Sequence, residues 1–253
     1  MNFQTILEVG LDWIRDLPFL SAILVFLLEN VVQLVFTVLI GDALVKVFQR
    51  NRIAQTPPPV SSFEILLVIS SVLLNTLVTL LGWWLWRANL IRIRSSSDFF
   101  RIILDVLVLI VVMDFFMYLL HRVAHHPKIY IFAHRTHHIY ENPRPMTLFA
   151  LNPLEVLGFG GLWLVVLMIY PASILGIVVY LSFNLAFGLV GHLGVEPAPW
   201  LLQTPGLRYL MTSSFHAGHH HDGAHNFGFY TLVWDKLFGT ISANYFSKAQ
   251  NSS

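Results

Sequence analysis

Twelve histidines stand in this chain, and ten of them fall into three knots: His121-Arg-Val-Ala-His125-His126, His134-Arg-Thr-His137-His138 and His216-Ala-Gly-His219-His220-His221. Neutral imidazole is the commonest nitrogen ligand for iron, copper and zinc. Residues three or four apart share a helix face. His121 with His125, His134 with His137 and His138, and His216 with His219 and His220 can therefore each point at one place. Adjacent histidines diverge by about 100° on an α-helix, so one serves one ion and its neighbour a second. Eight or nine convergent imidazoles exceed what one ion with roughly four to six ligands uses. Two metals is the expected count.

A lone histidine at a membrane edge is an ordinary amphipathic side chain, and His126, His221 and His225 read as readily that way. The three knots together do not, because burying so many imidazoles without partners is costly. A metal-storage tract would be low-complexity, with no reason for a repeated x-x-His-His spacing. An all-imidazole centre still needs negative charge nearby, and carboxylates behind the ligands orient the rings and offset the ions. Asp114, seven residues before His121 on the same apolar stretch, is the leading candidate, and Glu155, Asp222 and Asp235 are weaker ones. An acid inside a membrane span is functional by default, the alternative for Asp114 being a helix–helix hydrogen bond; Glu29 is as deep but far from the knots, and reads as packing or assembly.

Competing chemistries lack their residues. There is no His-Glu-x-x-His, no Gly-x-Ser-x-Gly elbow and no P-loop lysine. With no cysteine, disulfides, iron–sulfur clusters and thiolate zinc sites are excluded. Redox chemistry and metal transport remain as classes. A transporter spreads its ligands through the spans to form a path, whereas these cluster at one edge. A non-catalytic lipid-binding relative would be expected to have lost part of a knot, and all three are complete.

The elements that position these residues are membrane helices. The 253 residues are 56% hydrophobic and only 11% charged, with a mean hydropathy of +0.67; soluble domains carry roughly 25% charged residues. A crossing takes about 20 apolar residues, and Phe19–Ile40, Phe63–Trp86 and Ile102–Leu120 come close. Leu154–Val190 is apolar for nearly twice that length and broken at Tyr170-Pro171, which predicts a helical hairpin. Thr56-Pro-Pro-Pro59 is a stiff linker, and Trp83, Trp84, Trp86 and Arg87 form an interface anchor. Glu8, Asp12 and Asp16 near the start argue against a cleaved signal peptide. The fold class is thus an all-α integral membrane protein, multi-pass, with four to five membrane-embedded helices and a histidine-rich helical cap.

Parity then gathers the histidines. His121 lies at the exit of the third span, and a hairpin leaving that side returns His192 to it, with His216–His225 following on the same side. That side carries Lys46, Arg50, Arg52, Arg122, Lys128, Arg135 and Arg144; the other carries Arg87, Arg92, Arg94 and Arg101. Seven against four assigns the cap to the cytoplasm. A net charge of +1 with no basic, aromatic-interleaved stretch leaves no nucleic-acid partner.

The order His-x3-His, His-x2-His-His, His-x2-His-His resembles the fatty acid hydroxylase/sterol desaturase superfamily of membrane di-iron oxygenases. The likeness extends to Asp114-Phe-Phe-Met-Tyr118-Leu-Leu-His121-Arg122, Asn152-Pro-Leu-Glu155 (asparagine where the family usually has histidine), Gly191-His192, Pro199-Trp-Leu-Leu, Thr204-Pro205, Asn226-Phe-Gly228 and Trp234-Asp-Lys-Leu-Phe-Gly239-Thr240. It implies membrane helices over 1–100, a catalytic domain over 101–242 and a tail over 243–253. Carried over, the metal ligands are His121, His125, His134, His137, His138, His192, His216, His219 and His220. Two iron ions and O2 would then hydroxylate or desaturate a C–H bond of a fatty acyl chain, sterol, carotenoid or similar membrane lipid. Zinc can replace iron in a purified sample, since imidazole sites hold it more tightly. No Gly-x-Gly-x-x-Gly fingerprint or reductase domain is present. The resemblance therefore implies a separate electron-transfer protein: a cytochrome, ferredoxin or reductase.

Overall fold

A computed structural model describes residues 2–246, and among these there are helices and isolated bridges but no strand. The chain begins with α1 (Phe3–Arg15), capped by the Asn2 side chain, which accepts the Thr5 N–H at 2.8 Å. This helix was not foreseen as an element. It does not cross: Phe3, Ile6, Val9 and Trp13 are exposed while Leu11 packs inward, as in a helix lying along an interface. The Trp83 indole donates to the Ile14 carbonyl at 2.9 Å and Arg87 to that of Leu17 at 3.1 Å. The tryptophan anchor thus grips α1 as well as any lipid.

Among the described residues four helices are long and apolar enough to cross a membrane: α2 (Phe19–Val47), α3 (Ser62–Arg87), α4 (Phe99–Ala124) and, further on, α8 (Ile174–Gly191). Three of the four starts have a reason in the capping residue, α2 beginning after Pro18 with no side-chain cap. Ser61 accepts the Glu64 N–H, Asp98 that of Arg101 and Ser173 that of Gly176. Between α4 and α8 lie α5 (Pro127–Ala133), the four-residue α6 (Arg135–His138) and the shorter apolar α7 (Pro153–Ile169), capped by Asn152. The predicted hairpin is therefore α7 and α8, turning at Tyr170–Ser173. After it come α9 (Ser213–His221), capped by Thr212, and α10 (Val233–Phe238), which Gly239 ends with φ 68° in the left-handed region.

Helix α3 packs between α2 and α7, and α4 between α7 and α8. The two ends of this bundle are closed differently. At the end away from the histidines, Asp105 ties α4 to the hairpin turn and to the α3–α4 loop through Ser173, Tyr170 and Arg94. At the histidine end, Arg144 holds the proline linker by donating to the Pro58 carbonyl, and its Nε lies 3.2 Å from Glu64 Oε1 on α3. Gly194, at φ +66°, turns the chain so tightly after α8 that a Cβ there would press on the Pro143 carbonyl. Residues 243–246 pack back on α9, Tyr245 meeting the Phe215 ring at 5.2 Å; the remainder of the expected tail, 247–253, lies outside the described residues.

Candidate metal centre

The nine histidines come together at one end of the bundle in two abutting groups. His121, His125, His134, His138 and His219 form the first, and His137, His192, His216 and His220 the second, with the potential ligand atoms of each group within 4.8 Å of one another. His121 stands on the last turn of α4, with His125 at its end. His134 is the joint between α5 and α6, His192 ends α8, and the third knot lies along α9.

The grouping follows the helical angle closely. Each pair four apart (His121/His125, His134/His138, His216/His220) stays in one group, and each pair three apart (His134/His137, His216/His219) is divided. Four residues turn a side chain by about 40° and three by about 60° the other way. The expectation that each whole knot points at one place is corrected accordingly. The expected divergence of neighbours holds for His137/His138 and His219/His220.

Where the hydrogens go decides what the groups can bind. His121 Nδ1 faces the Phe227 carbonyl at 2.9 Å, His219 Nδ1 that of His225 at 2.7 Å and His192 Nδ1 that of Gly188 at 2.8 Å. His134 Nδ1 lies 3.0 Å from Glu155 Oε1. In a neutral ring, giving the Nδ1 hydrogen outward leaves a bare lone pair at Nε2. These Nε2 atoms point at one another: His121 to His134, His125 to His138 and His138 to His219, each at 3.1 Å. One proton on His138 cannot serve two neighbours. In the second group His216 and His220 meet in the same way at 3.1 Å, and His192 Nε2, buried, has no partner among the described residues.

Protonating these rings does not relieve the crowding. Burial pushes His138 and His192 down to about 4, and burial with mutual repulsion pushes His125 and His134 to about 2. His137, His216, His219 and His220 are held well below the ordinary imidazole value for the same reasons. Neutral imidazoles aiming lone pairs at a shared point, with hydrogens directed outward, fit cations held by nitrogen. Nitrogens 3.1 Å apart also match two ligands of one ion at about 2.0–2.1 Å each.

The sequence model of the fatty acid hydroxylase family matches residues 106–240. The chain belongs to that family. Among its relatives, human (Homo sapiens) lathosterol oxidase is 30% identical over 146 residues, which is 56% of this chain and 46% of that protein. Methylsterol monooxygenase 1 of Danio rerio is 30% identical over 133 residues, 52% and 45% of the two chains. A Delta(7)-sterol 5(6)-desaturase of Leptosphaeria maculans is 26% identical over 127 residues, 50% and 34%. The chain therefore spans about half or less of the length of these curated relatives. No solved structure matches.

All nine histidines, Asp114 and Glu155 lie in the matched stretch. Glu155 stands beside His134, carried there by the first turn of α7. Asp114 is placed otherwise. Its carboxylate accepts from Tyr230 N–H at 2.9 Å, Thr231 N–H at 3.3 Å, the Trp234 indole at 3.1 Å and the Thr231 hydroxyl. None of these donors is a histidine; it bolts the chain after α9 to α4. Asp235 does similar work, accepting from Phe227 and Gly228 N–H at 2.8 and 2.7 Å, and so holds the strand of loop whose Phe227 carbonyl meets His121. His126, His221 and His225 fall outside both groups. His126 caps α5 with its ring, and the His225 ring pairs with exposed Asp222 at 2.8 Å.

Sequence reasoning missed the three carbonyls of Phe227, His225 and Gly188. A carbonyl is common to every residue, so its use leaves no mark in the sequence. It also missed Tyr230, whose hydroxyl meets Asn184 at 2.6 Å and Tyr180 at 2.8 Å inside the bundle.

Proposed function

We propose that this chain is an O2-dependent, di-iron oxidoreductase that hydroxylates or desaturates a C–H bond of a membrane lipid, with its centre facing the cytoplasm. The observation that carries the reading is the pair of abutting imidazole groups, five and four strong, at the end of an apolar helix bundle. The family match and the relatives themselves, a lathosterol oxidase, a methylsterol monooxygenase and a sterol desaturase, support the same class. His121, His125, His134, His138 and His219 would hold one iron; His137, His192, His216 and His220 would hold the other.

Bound iron supplies the activation of O2 that an unactivated C–H bond requires, since side chains alone offer it no acid, base or electrophile. The chain's own residues do the positioning. The carbonyls of Phe227, His225 and Gly188 fix ring orientation and leave Nε2 free. Burial holds the Glu155 carboxyl, beside His134, well above the usual carboxylate range; cations at the imidazole Nε2 atoms would favour its charged form and so bring negative charge to a set of ligands that has none. Phe229 packs on His121 with centroids 5.2 Å apart, and Phe159 on Phe229 at 5.2 Å. They form an apolar, water-excluding wall continuous with the core of the spans, the side from which a lipid chain approaches. Electrons come from a separate protein.

Two measurements test the reading. Purified protein reconstituted with ferrous iron is expected to hold close to two metals per chain, falling in His219→Ala; a stoichiometry near one, unchanged by that substitution, defeats it. Lipid extracts of a host with and without the gene are expected to differ under air and not under anoxia. A gain of one oxygen means hydroxylation, and a loss of two hydrogens means desaturation.

A further inference from the structure

The centre is closed on nearly every side. Eight of its nine histidines are less than a tenth exposed, and His125 is more open than these. A cleft of about 640 Å³ opens onto that ring. Its walls are apolar, from Leu119 and Val123 on α4, Ile129 on α5 and Phe227. Gly223 keeps the floor open: a Cβ there would come within 3.0 Å of His125 Cε1. The mouth is cationic. Arg122 lines it, steered by the Tyr118 hydroxyl at 3.4 Å and the Phe238 ring at 5.9 Å, and exposed Lys128 precedes the lining residue Ile129 in the chain. Asp222, next to Gly223, is already paired with His225.

Behind the cleft runs a path of touching rings. His125 Nε2 is 3.1 Å from His138 Nε2 in the first group, and the His138 ring stacks on His220 of the second with centroids 4.8 Å apart. What faces the cleft is the Cε1–Nδ1 edge of an imidazole, with Nε2 turned inward to His138. A substrate carbon has to reach the open side of an ion, but an electron needs only the edge of a ligand. Apolar walls, one exposed ligand edge and a cationic mouth match the small, salt-sensitive interfaces of redox encounters.

We propose that this cleft is the docking face for a separate one-electron donor protein, one that presents an apolar patch ringed by carboxylates around its exposed cofactor, and that electrons reach the centre through His125. The assignment rests on the di-iron reading above. Each encounter oxidises the donor by one electron and reduces one ferric ion to ferrous. Two encounters supply the two electrons that C–H oxidation draws from outside for each O2, with two protons taken up from water.

The test uses full-length protein in lipid nanodiscs, iron-loaded and metal-free, with a plant-type ferredoxin as the acidic donor. Ferredoxin is expected to bind both forms, weakening about tenfold between roughly 0.02 and 0.2 M salt. Arg122→Glu and Ile129→Glu are each expected to weaken binding about tenfold or more, and to slow reduction of the bound iron by reduced ferredoxin in proportion. Reduction by dithionite stays unchanged. Lys236→Glu, the same charge change at a surface cleft beside Tyr209, leaves all three as in the wild type. Equal effects of Arg122→Glu and Lys236→Glu, or no salt-sensitive binding, overturn the proposal while the metal stoichiometry still stands. So does an Ile129→Glu chain that keeps its ferredoxin affinity but loses labelling by a diazirine-bearing fatty acid, because the cleft then admits lipid. A wild-type chain that takes up no iron on reconstitution, whether or not ferredoxin binds it, removes the di-iron reading and the electron route together.

Discussion

Both ends of this bundle bury polar groups, and they do so in opposite ways. At the far end the Asp105 carboxylate is wholly buried, with Arg94 Nη2, the Tyr170 hydroxyl and the Ser173 N–H each at 2.8 Å. Each of its oxygens meets a donor. At the other end nine imidazoles converge, three with Nδ1 directed outward to a carbonyl and a fourth with Nδ1 on Glu155, while Nε2 atoms of the set face one another at 3.1 Å. Buried polarity is tolerated when partners are complementary. The Asp105 cluster is therefore finished by the protein itself, whereas the histidine end is finished only by a cation. That difference separates a structural latch from a site when both are equally buried.

Removing metal is the strongest way to break the comparison. Structural zinc in small domains contributes about 10–16 kcal/mol of apparent binding free energy, and ligand binding raises stability by linkage. Even a fraction of this is expected to move the thermal midpoint by more than about 10 °C in a chain of this size. Asp105→Asn is expected to lower the midpoints of loaded and metal-free protein equally, by about 2–4 kcal/mol, with metal content unchanged. Calorimetry on the four samples checks both; a chelation-insensitive midpoint in the wild type would make the histidine end as self-sufficient as the far end.

The metal-free protein carries a second signature, in pH. Its buried imidazoles are neutral in the folded state, His138 and His192 titrating only at about 4, while the unfolded chain takes up protons near 6.5. Between those values the unfolded state binds more protons, so stability falls as pH drops from about 6.5 towards 4 and is flat above. Denaturant midpoints at pH 7.5, 6 and 5 read this directly, and a flat profile contradicts the burial assigned to these rings.

A smaller effect separates the two carboxylates near the centre. Glu155→Gln is expected to weaken metal binding about 10- to 100-fold, the usual consequence of losing a partner behind a ligand, because Glu155 stands 3.0 Å from His134. Asp114→Asn removes acceptors from Tyr230, Thr231 and Trp234. Its main effect is therefore expected on stability, about 1–3 kcal/mol, and competitive chelator titration of the folded protein tells the two apart.

The sequence made some of this legible, and physics says which parts. Spans, hairpin and the shared side of the histidines follow from hydropathy and parity, because a bilayer leaves helices few alternatives. The identity of the nine follows from spacing together with the family resemblance. Their division does not, because His134 sits at a break between α5 and α6, and a broken helix has no single face. Asp114 misled for a related reason: seven residues back from His121 it does share the helix face, but the segment 229–234 comes between it and the rings. Helix α1 was overlooked because it is too short and too acidic for a span, although Phe3, Ile6, Val9 and Trp13 recur at helical spacing.

The least effect is expected at His225, where a single residue holds both sides of the comparison. Its ring is outside the centre and pairs with exposed Asp222; its carbonyl accepts the Nδ1 hydrogen of His219 at 2.7 Å. An exposed ion pair contributes about 0–1 kcal/mol, and alanine keeps the carbonyl. His225→Ala is thus expected to retain two metals and a wild-type midpoint within about 0.5 kcal/mol, while His219→Ala loses metal although the residue is only six positions away. Metal analysis of the two variants side by side decides it. A matching loss in His225→Ala would mean that the ring itself turns inward to the ion, and that the outward carbonyl bracing of the first group is not what holds His219 in place.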